Sequence, residues 1–416
     1  MITIPDIATL VPQKHRLSGG GDIYCFPGAT EFVKLDVVFE AGSMYQPQST
    51  CATAALKLAT KATAGMDSSS LAEFLDYRGV IVDSTITPMQ AVLTVYMLRR
   101  HAAEVLPVVA DMLKRPAFAS ADFVVWQSQR RQELATLEQR TSHVARRMFY
   151  QTLFGENHPL GRYAVASDVD KLSLDTVRGY FRDRFHLENS MIVVSGKTDG
   201  ELDDIIDTHF GTAGPMRLMT PVALTMPEKQ TAPQTIHTCM PDAVQTSLRI
   251  GRVLPLRWDE PDYAGFLILT TALGGYFGSR LMQNIREDKG YTYGINARTQ
   301  LYRGVIVFNI MADVAGGMAD AAVHEVMREL QRLCDEPMGE DELQLVKTVL
   351  AGDFLRSVDG VFELSSRYCD MVGASITEKL TDNIRAAINE ATAGQLQELA
   401  QRLLKCEDMT VCLAGV

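Results

Sequence analysis

Two side chains that are strong hydrogen-bond donors lie in the segment GSRLMQNIREDKGYTYGINA, residues 278–297. Arg286 carries a permanently charged, forked donor, and Tyr293 carries a hydroxyl that can donate a hydrogen bond. The segment contains no histidine, cysteine or phosphate-binding loop, so it supplies only part of what a reaction requires.

The spacing within this segment predicts a short helix followed by a strand. Ser279 is suited to cap the helix and Gly290 to end it. Apolar residues between them recur at helical spacing, which places Arg286 beside a buried face. After Gly290 the residues around Tyr293 alternate as in a strand. We expect Arg286 and Tyr293 to converge from these two elements; the alternative is a capped helix on a strand with a solvated arginine.

A complete catalytic site is missing from the sequence. The eight histidines are so scattered that no two share one or two helical turns, and a GxSxG motif is absent. His101 and Glu104 have the spacing of one helical face, but Val105 occupies the place of a second metal ligand. We therefore expect no metal site in this chain and keep His101 with Glu104 as an alternative.

The composition indicates a globular protein without a strong preference for nucleic acid or membrane. The chain has 416 residues, 46% of them hydrophobic, and a net charge of −11, which disfavours a general nucleic-acid binder. The seven cysteines are scattered and form no CxxC pair, as in proteins of reducing compartments. No apolar run is long enough for a membrane span, and the first residues lack a signal-peptide core. We expect a cytoplasmic protein.

The chain repeats one pattern in its two halves. A helix, a proline break and a second helix surround both Pro116 and Pro337, and the strands MIVVSG and MTVCLAG recur at a similar spacing of about 220 residues. The repeat predicts an α+β protein of two homologous domains, each a mostly antiparallel sheet with helices packed on one face. The domains are expected at residues 1–212 and 235–416, joined by a linker at 213–234. Coincidence between two ordinary amphipathic helices is the alternative.

The Arg286–Tyr293 segment resembles the arginine–tyrosine motif in the second domain of the pitrilysin/insulinase family of zinc peptidases. Two further segments are similar to signatures of this family: FEAGSMYQP, residues 39–47, and LFGENHPLGR, residues 153–162. The resemblance covers essentially the full chain and implies paired metallopeptidase (LuxS-like) domains. The positions that match the arginine–tyrosine motif are Ser279, Arg280, Leu281, Arg286, Glu287, Gly290 and Tyr293.

The chain departs from the family where catalytic members carry the zinc motif HxxEH. The motif positions fall on Ala55, Leu58 and Ala59, within a helix predicted at residues 52–64. Alkyl side chains cannot bind a metal or transfer a proton. The family's third ligand, a glutamate further along, coincides with Glu133, which has no zinc role without the other ligands.

The resemblance implies a non-catalytic, activity-completing subunit of a heterodimeric zinc-dependent peptidase. A paralogous partner would carry HxxEH and the zinc, while Arg286 and Tyr293 assist at the partner's site with a peptide substrate. Self-association of the isolated chain as a homodimer stays open. Two alternatives remain: a structural or assembly protein of the same fold, and an autonomous peptidase that uses His101 and Glu104.

Overall fold

The computed structural model describes residues 11–211, Leu224 and residues 233–416, and these form two β-sheets with flanking helices. The elements of the first half are β1 Gln13–Arg16, β2 Asp22–Pro27, β3 Phe32–Phe39, α1 Cys51–Ala59, α2 Ser68–Tyr77, β4 Ile81–Ile86, β5 Ala91–Leu98, α3 Ala102–Lys114, α4 Ser120–Leu137, α5 Thr141–Phe154, α6 Ala166–Lys171, α7 Leu174–Arg184, β6 Ser190–Gly196 and α8 Gly200–Phe210. Those of the second half are β7 Thr235–Cys239, β8 Gln245–Leu254, α9 Pro261–Gly274, a π-helix Met282–Asp288, β9 Thr292–Tyr302, β10 Val305–Ala315, α10 Ala319–Asp335, α11 Glu340–Arg356, α12 Val361–Ala374, α13 Lys379–Glu390, α14 Ala393–Leu403 and β11 Thr410–Gly415.

The two sheets share one strand order. The first is ordered β1-β2-β6-β3-β5-β4 and the second β7-β11-β8-β10-β9. Strands β2 to β6 and β7 to β11 therefore correspond one to one, with β1 added at one edge. In each sheet the first and last strands of the unit pair in parallel, and the other neighbours are antiparallel. The predicted α+β class with two homologous, mostly antiparallel domains is confirmed.

The sequence pattern of the strands reflects how each sheet is covered. Strand β5 alternates buried and half-buried residues, as expected for a strand with one face in the core. Strand β6 is buried along its whole length, which requires cover on both faces. The principal core of each domain lies between its sheet and its own helices.

The second face of each sheet is covered by a helix from the other half of the chain. Helix α5 packs on β8 and β11, and its Phe149 and Leu153 share one hydrophobic cluster with Val253 and Cys412 of these strands. Helix α12 packs on β2 and β6, where Cys369 meets Val193. The sequence had predicted helices on one face of each sheet only. Because the two halves exchange helices α5 and α12, each sheet has a helix on its second face as well.

The predicted linker, 213–234, lies almost entirely outside the described residues, so its limits remain a prediction. Helix α8 ends at Phe210 and β7 begins at Thr235, on either side of it. All seven cysteines are free. Among the described helices, none combines the length and the apolar character needed to cross a bilayer.

Candidate functional site

Arg286 projects from the π-helix that follows α9. The wider winding is visible in the backbone, where Lys289 N donates to Asn284 O at 3.1 Å, five residues back. Ile285, fully buried, anchors the helix to the core, while the Arg286 side chain is 35% exposed. Its guanidinium lies 4.6 Å from the ring centre of Phe277 and 3.4 Å from a Glu287 carboxylate oxygen. Single turns of π-helix are frequent at functional sites, because they reposition one side chain.

A buried amide fixes the π-helix on α10. Asn284 donates to Glu325 at 2.9 Å and to Glu329 at 2.7 Å, and both carboxylates are almost completely buried. At the start of the helix, Arg280 makes two parallel hydrogen bonds to Glu342, at 2.7 and 2.8 Å. Charge-assisted bonds of this kind are directional, so they hold the helix in one orientation.

The end of the helix has the geometry predicted for Gly290. Gly290 adopts φ +66°, its N–H donates to Arg286 O at 3.1 Å, and Tyr291 N–H donates to Ile285 O at 3.0 Å. The Gly290 bond closes an αL motif, and the Tyr291 bond reaches back six residues; together they tie the Arg286 backbone to the exit of the chain. The predicted Ser279 side-chain cap is wrong. The Ser279 hydroxyl is buried without a hydrogen-bond partner among the described residues, and only its carbonyl accepts, from Gln283 N.

Tyr293 lies in a β-bulge at the start of the edge strand β9. Ile295 pairs with Ala312 and Thr292 with Val314, so Tyr293 and Gly294 together face the single residue Asp313. The Thr292 hydroxyl closes the bulge by donating to Asp313 O at 2.7 Å and accepting from Gly294 N at 3.1 Å. The bulge turns the Tyr293 side chain out of the sheet, and it is 90% exposed.

The elements that carry Arg286 and Tyr293 are joined through the backbone. Tyr291 N–H donates to Ile285 O, and Tyr291 O accepts from Ala315 N–H at 3.0 Å, which links the helix end to β10. Within the described chain no hydrogen bond joins the two side chains to each other. Both present donors to the exterior on irregular backbone, and such backbone is frequent next to functional sites.

The positions of the zinc motif are occupied by hydrophobic core. Ala55 and Ala59 are fully buried on α1, and Leu58 is 3% exposed. All three belong to the cluster that includes Leu93 and Val105. Methyl and isobutyl groups offer no lone pair to a cation, so this helix does not fit a zinc ion.

The helix that carries these positions is shorter than predicted. It ends at Ala59, whereas the sequence had suggested residues 52–64. The Thr60 hydroxyl donates to the carbonyl oxygens of Leu56 and Lys57, both at 3.1 Å, and Thr63 forms an isolated bridge with Pro116. The backbone therefore leaves the helical path before residue 64.

The other acidic candidates are committed to arginines. Glu133 on α4 is largely exposed and pairs with Arg130 at 2.8 Å. Glu104 on α3 accepts two bonds from Arg78, at 2.9 and 2.6 Å, and these bonds lower the pKa of its carboxyl group. Neither Glu104 nor His101 belongs to a cluster of metal-binding side chains in the part of the chain that the structure describes.

Fold and site together define a duplicated α+β protein that presents an arginine–tyrosine element and has apolar core where a metal motif would lie. A family profile described as "Insulinase (Peptidase family M16)" matches residues 28–165, and one described as "Peptidase M16 inactive domain" matches residues 171–350. The chain belongs to this insulinase family, and its zinc-motif positions are apolar.

Two curated relatives and one solved structure show the range of similarity. An uncharacterized zinc protease of Mycobacterium leprae is 25% identical over 268 residues, which are 62% of this chain and 58% of that protein. The non-peptidase homolog YmxG of Helicobacter pylori is 23% identical over 294 residues, 68% of this chain and 65% of that protein. The matches thus span less than two thirds of either relative.

The structure of a peptidase M16 inactive domain from Pseudomonas fluorescens has a TM-score of 0.83 at 21% identity, and the match covers 97% of this chain and 98% of the other. At this identity the similarity shows the fold alone.

Proposed function

We propose that this chain is a non-catalytic subunit that completes the active site of a zinc-dependent peptidase formed with an HxxEH-bearing relative. The observation that carries the proposal is Tyr293. A tyrosine that is 90% exposed has no packing role, yet its backbone is fixed by a bulge and by the adjoining αL motif at Gly290. A hydrogen-bond donor that is exposed but held by a fixed backbone, such as the Tyr293 hydroxyl, is preorganised to bind another molecule.

The chemistry assigns a role to each side chain. The Tyr293 hydroxyl would donate to the oxygen of a peptide carbonyl as negative charge develops on it. Arg286, held by Phe277 and Glu287, would supply a fixed positive charge and a second donor to the bound peptide. The partner's zinc would supply the Lewis-acid chemistry, since α1 of this chain does not fit a metal.

The proposed partner is a paralogous chain with an intact HxxEH helix, and the proposed substrate is a peptide in extended conformation. Such a peptide would add to a sheet edge of the partner and bring its carbonyl to Tyr293. Seven free cysteines are typical of a protein that functions in a reducing compartment, so the cytoplasm is the proposed location.

The test is to purify this chain and an HxxEH-bearing relative from the same genome, alone and as a mixture. We expect zinc-dependent cleavage of a peptide library by the mixture and little by either chain alone. In the mixture, Tyr293→Phe should lower kcat by about 10²–10³, because one oxyanion donor is lost. Binding of the partner, measured by calorimetry, should be unchanged.

A matched control is Tyr77→Phe. Tyr77 is 86% exposed, but it lies on α2 of the first domain, so loss of its hydroxyl should leave kcat unchanged. Strong peptidase activity of the isolated chain would overturn the proposal. Equal kcat for Tyr293→Phe and wild type would also overturn it, and would favour a structural or assembly role for a chain of this fold.

A further inference from the structure

Three side chains of metal-binding types meet at one edge of the first sheet. They are His15 on β1, Cys25 on β2 and Asp203 on α8, and one ligand atom from each lies within 4.8 Å of the others. In the β1–β2 pairing Gln13 lies opposite Cys25, so His15 and Cys25 are diagonal neighbours on the same face. Helix α8 crosses this face and brings Asp203 to both.

The local hydrogen bonding leaves capacity for an ion. His15 Nδ1 contacts one oxygen of Asp203, but the other oxygen, Oδ1, is buried and has no hydrogen-bond partner in the described chain. The thiol of Cys25 is fully buried beside it. A buried carboxylate oxygen without a donor is costly, and a cation would satisfy it.

The neighbouring carboxylate on α8 has a different environment. Asp207, one helical turn after Asp203, accepts from the N–H and the hydroxyl of Ser18, at 2.8 and 2.9 Å. Its bonds already tie the β1–β2 turn to α8 without any ion. The Asp207 carboxylate thus has hydrogen-bond donors, whereas Asp203 Oδ1 has none in the described chain, so Asp203 is the candidate metal ligand.

We propose that His15, Cys25 and Asp203 bind a divalent transition-metal ion, with zinc as the ion that the ligand set fits best. Imidazole nitrogen, thiolate sulfur and carboxylate oxygen are all zinc ligands, at about 2.0–2.3 Å. Two ligand atoms of one such ion are at most about 4.6 Å apart. The His15 ring now contacts Asp203 directly, and because its side chain is 43% exposed it can rotate so that the ion fits between the two side chains. A water molecule would take the fourth position.

This site is separate from the degenerate zinc motif and independent of the proposed peptidase role. The motif helix α1 packs on β4 and β5, whereas β1 forms the opposite edge of the same sheet. An ion here would join β1 and β2, at the start of the described chain, to α8, immediately before the segment that leads to the second domain. Its role would be to stabilise this edge.

The experiment is to titrate the full, chelator-treated chain with Zn²⁺ against a chromophoric chelator, and with Co²⁺ to record its absorption spectrum. We expect one Zn²⁺ per chain, a thiolate-to-cobalt charge-transfer band, and a melting temperature that rises with Zn²⁺. Cys25→Ser should abolish the band, and Asp203→Asn should weaken Zn²⁺ binding at least about 10-fold, since loss of a ligand exceeds the loss of an outer-shell partner.

Matched controls are Asp207→Asn and Cys51→Ser. Asp207 bonds only Ser18, and the buried Cys51 on α1 belongs to no metal-type cluster of the described chain, so both variants should bind Zn²⁺ like wild type. If Cys25→Ser does not fold, His15→Asn and Asp203→Asn on partly exposed residues decide the question. Absence of stoichiometric binding, or equal Zn²⁺ affinity in wild type and Asp203→Asn, would overturn the proposal.

Discussion

A buried ion pair between the two domains gives the clearest test of how the chain is held together. Arg303, at the β9–β10 turn, contacts Glu40, at the end of β3, with 2.6 Å between Nη2 and Oε1. The two side chains are 2% and 5% exposed. Arg303 also donates to Gly373 O at 2.9 Å, but neither oxygen of Glu40 accepts a well-aligned hydrogen bond in the described chain. Attraction between the charges therefore holds the pair.

Replacing Arg303 by Met should destabilise the protein strongly, because it leaves the Glu40 carboxylate buried and unpaired. Removal of one partner of a buried pair costs about 3–5 kcal/mol. For a chain of 416 residues an unfolding entropy of about 2.1 cal/mol/K per residue gives about 0.9 kcal/mol/K in total. The melting temperature should therefore fall by about 3–6 °C.

Replacing both partners separates the charge effect from packing. The double variant Glu40→Leu/Arg303→Met has no unpaired charge, so it should recover more than half of the loss. Differential scanning calorimetry of wild type, both single variants and the double variant measures this directly. Arg182→Met, which removes an exposed pair with Asp183, is the control and should shift the melting temperature by less than about 1 °C. Equal melting of Arg303→Met and wild type would refute the reasoning, and so would strictly additive losses in the double variant.

Two further predictions concern the zinc-motif helix and an acid on α12 that the surrounding protein partly desolvates. Ala55→His restores the first motif ligand but should lower the free energy of unfolding by about 1–3 kcal/mol, because residue 55 is fully buried in packed core. Urea unfolding of the variant and wild type measures this difference. An unchanged free energy of unfolding would contradict the prediction. Burial raises the pKa of Asp370 on α12, so the neutral acid is favoured in the fold. The stability that this provides is present below the unfolded-state pKa and is lost as the pH rises through the folded-state pKa. Asp370→Asn should therefore gain stability relative to wild type as the pH rises from about 4 to 7, and a constant difference in melting temperature over that range would contradict it.

The sequence predicted those features of the site that depend on neighbours along the chain. Gly290 ends the helix because only a residue that tolerates positive φ can close an αL motif at that point. The absence of metal ligands at Ala55 and Ala59 is likewise readable directly, since no fold can make a methyl group bind zinc. Domain repetition was visible for the same reason: similar elements recur in the same order.

The features that depend on distant residues were not readable. The π-helix is fixed by Asn284 bonding to Glu325 and Glu329, which lie on a helix that follows two intervening strands. The bulge at Tyr293 exists because the Thr292 hydroxyl bonds to Asp313 O on the partner strand. Local spacing predicted regular geometry at both places, and long-range hydrogen bonds overrode it.

The exchange of helices gives the first domain a structural role, although its zinc-motif positions are apolar. Helix α5 belongs in sequence to the first half, yet Phe149 and Leu153 cover the outer face of the second sheet, which includes the edge strand that carries Tyr293. Removal of the first domain would expose β8 and β11 on that face, and it would break the Arg303–Glu40 pair. The apolar helix α1 is part of the core of that domain and packs mainly on α7. The first domain thus contributes to the second both the helix that covers its outer face and one partner of a buried ion pair.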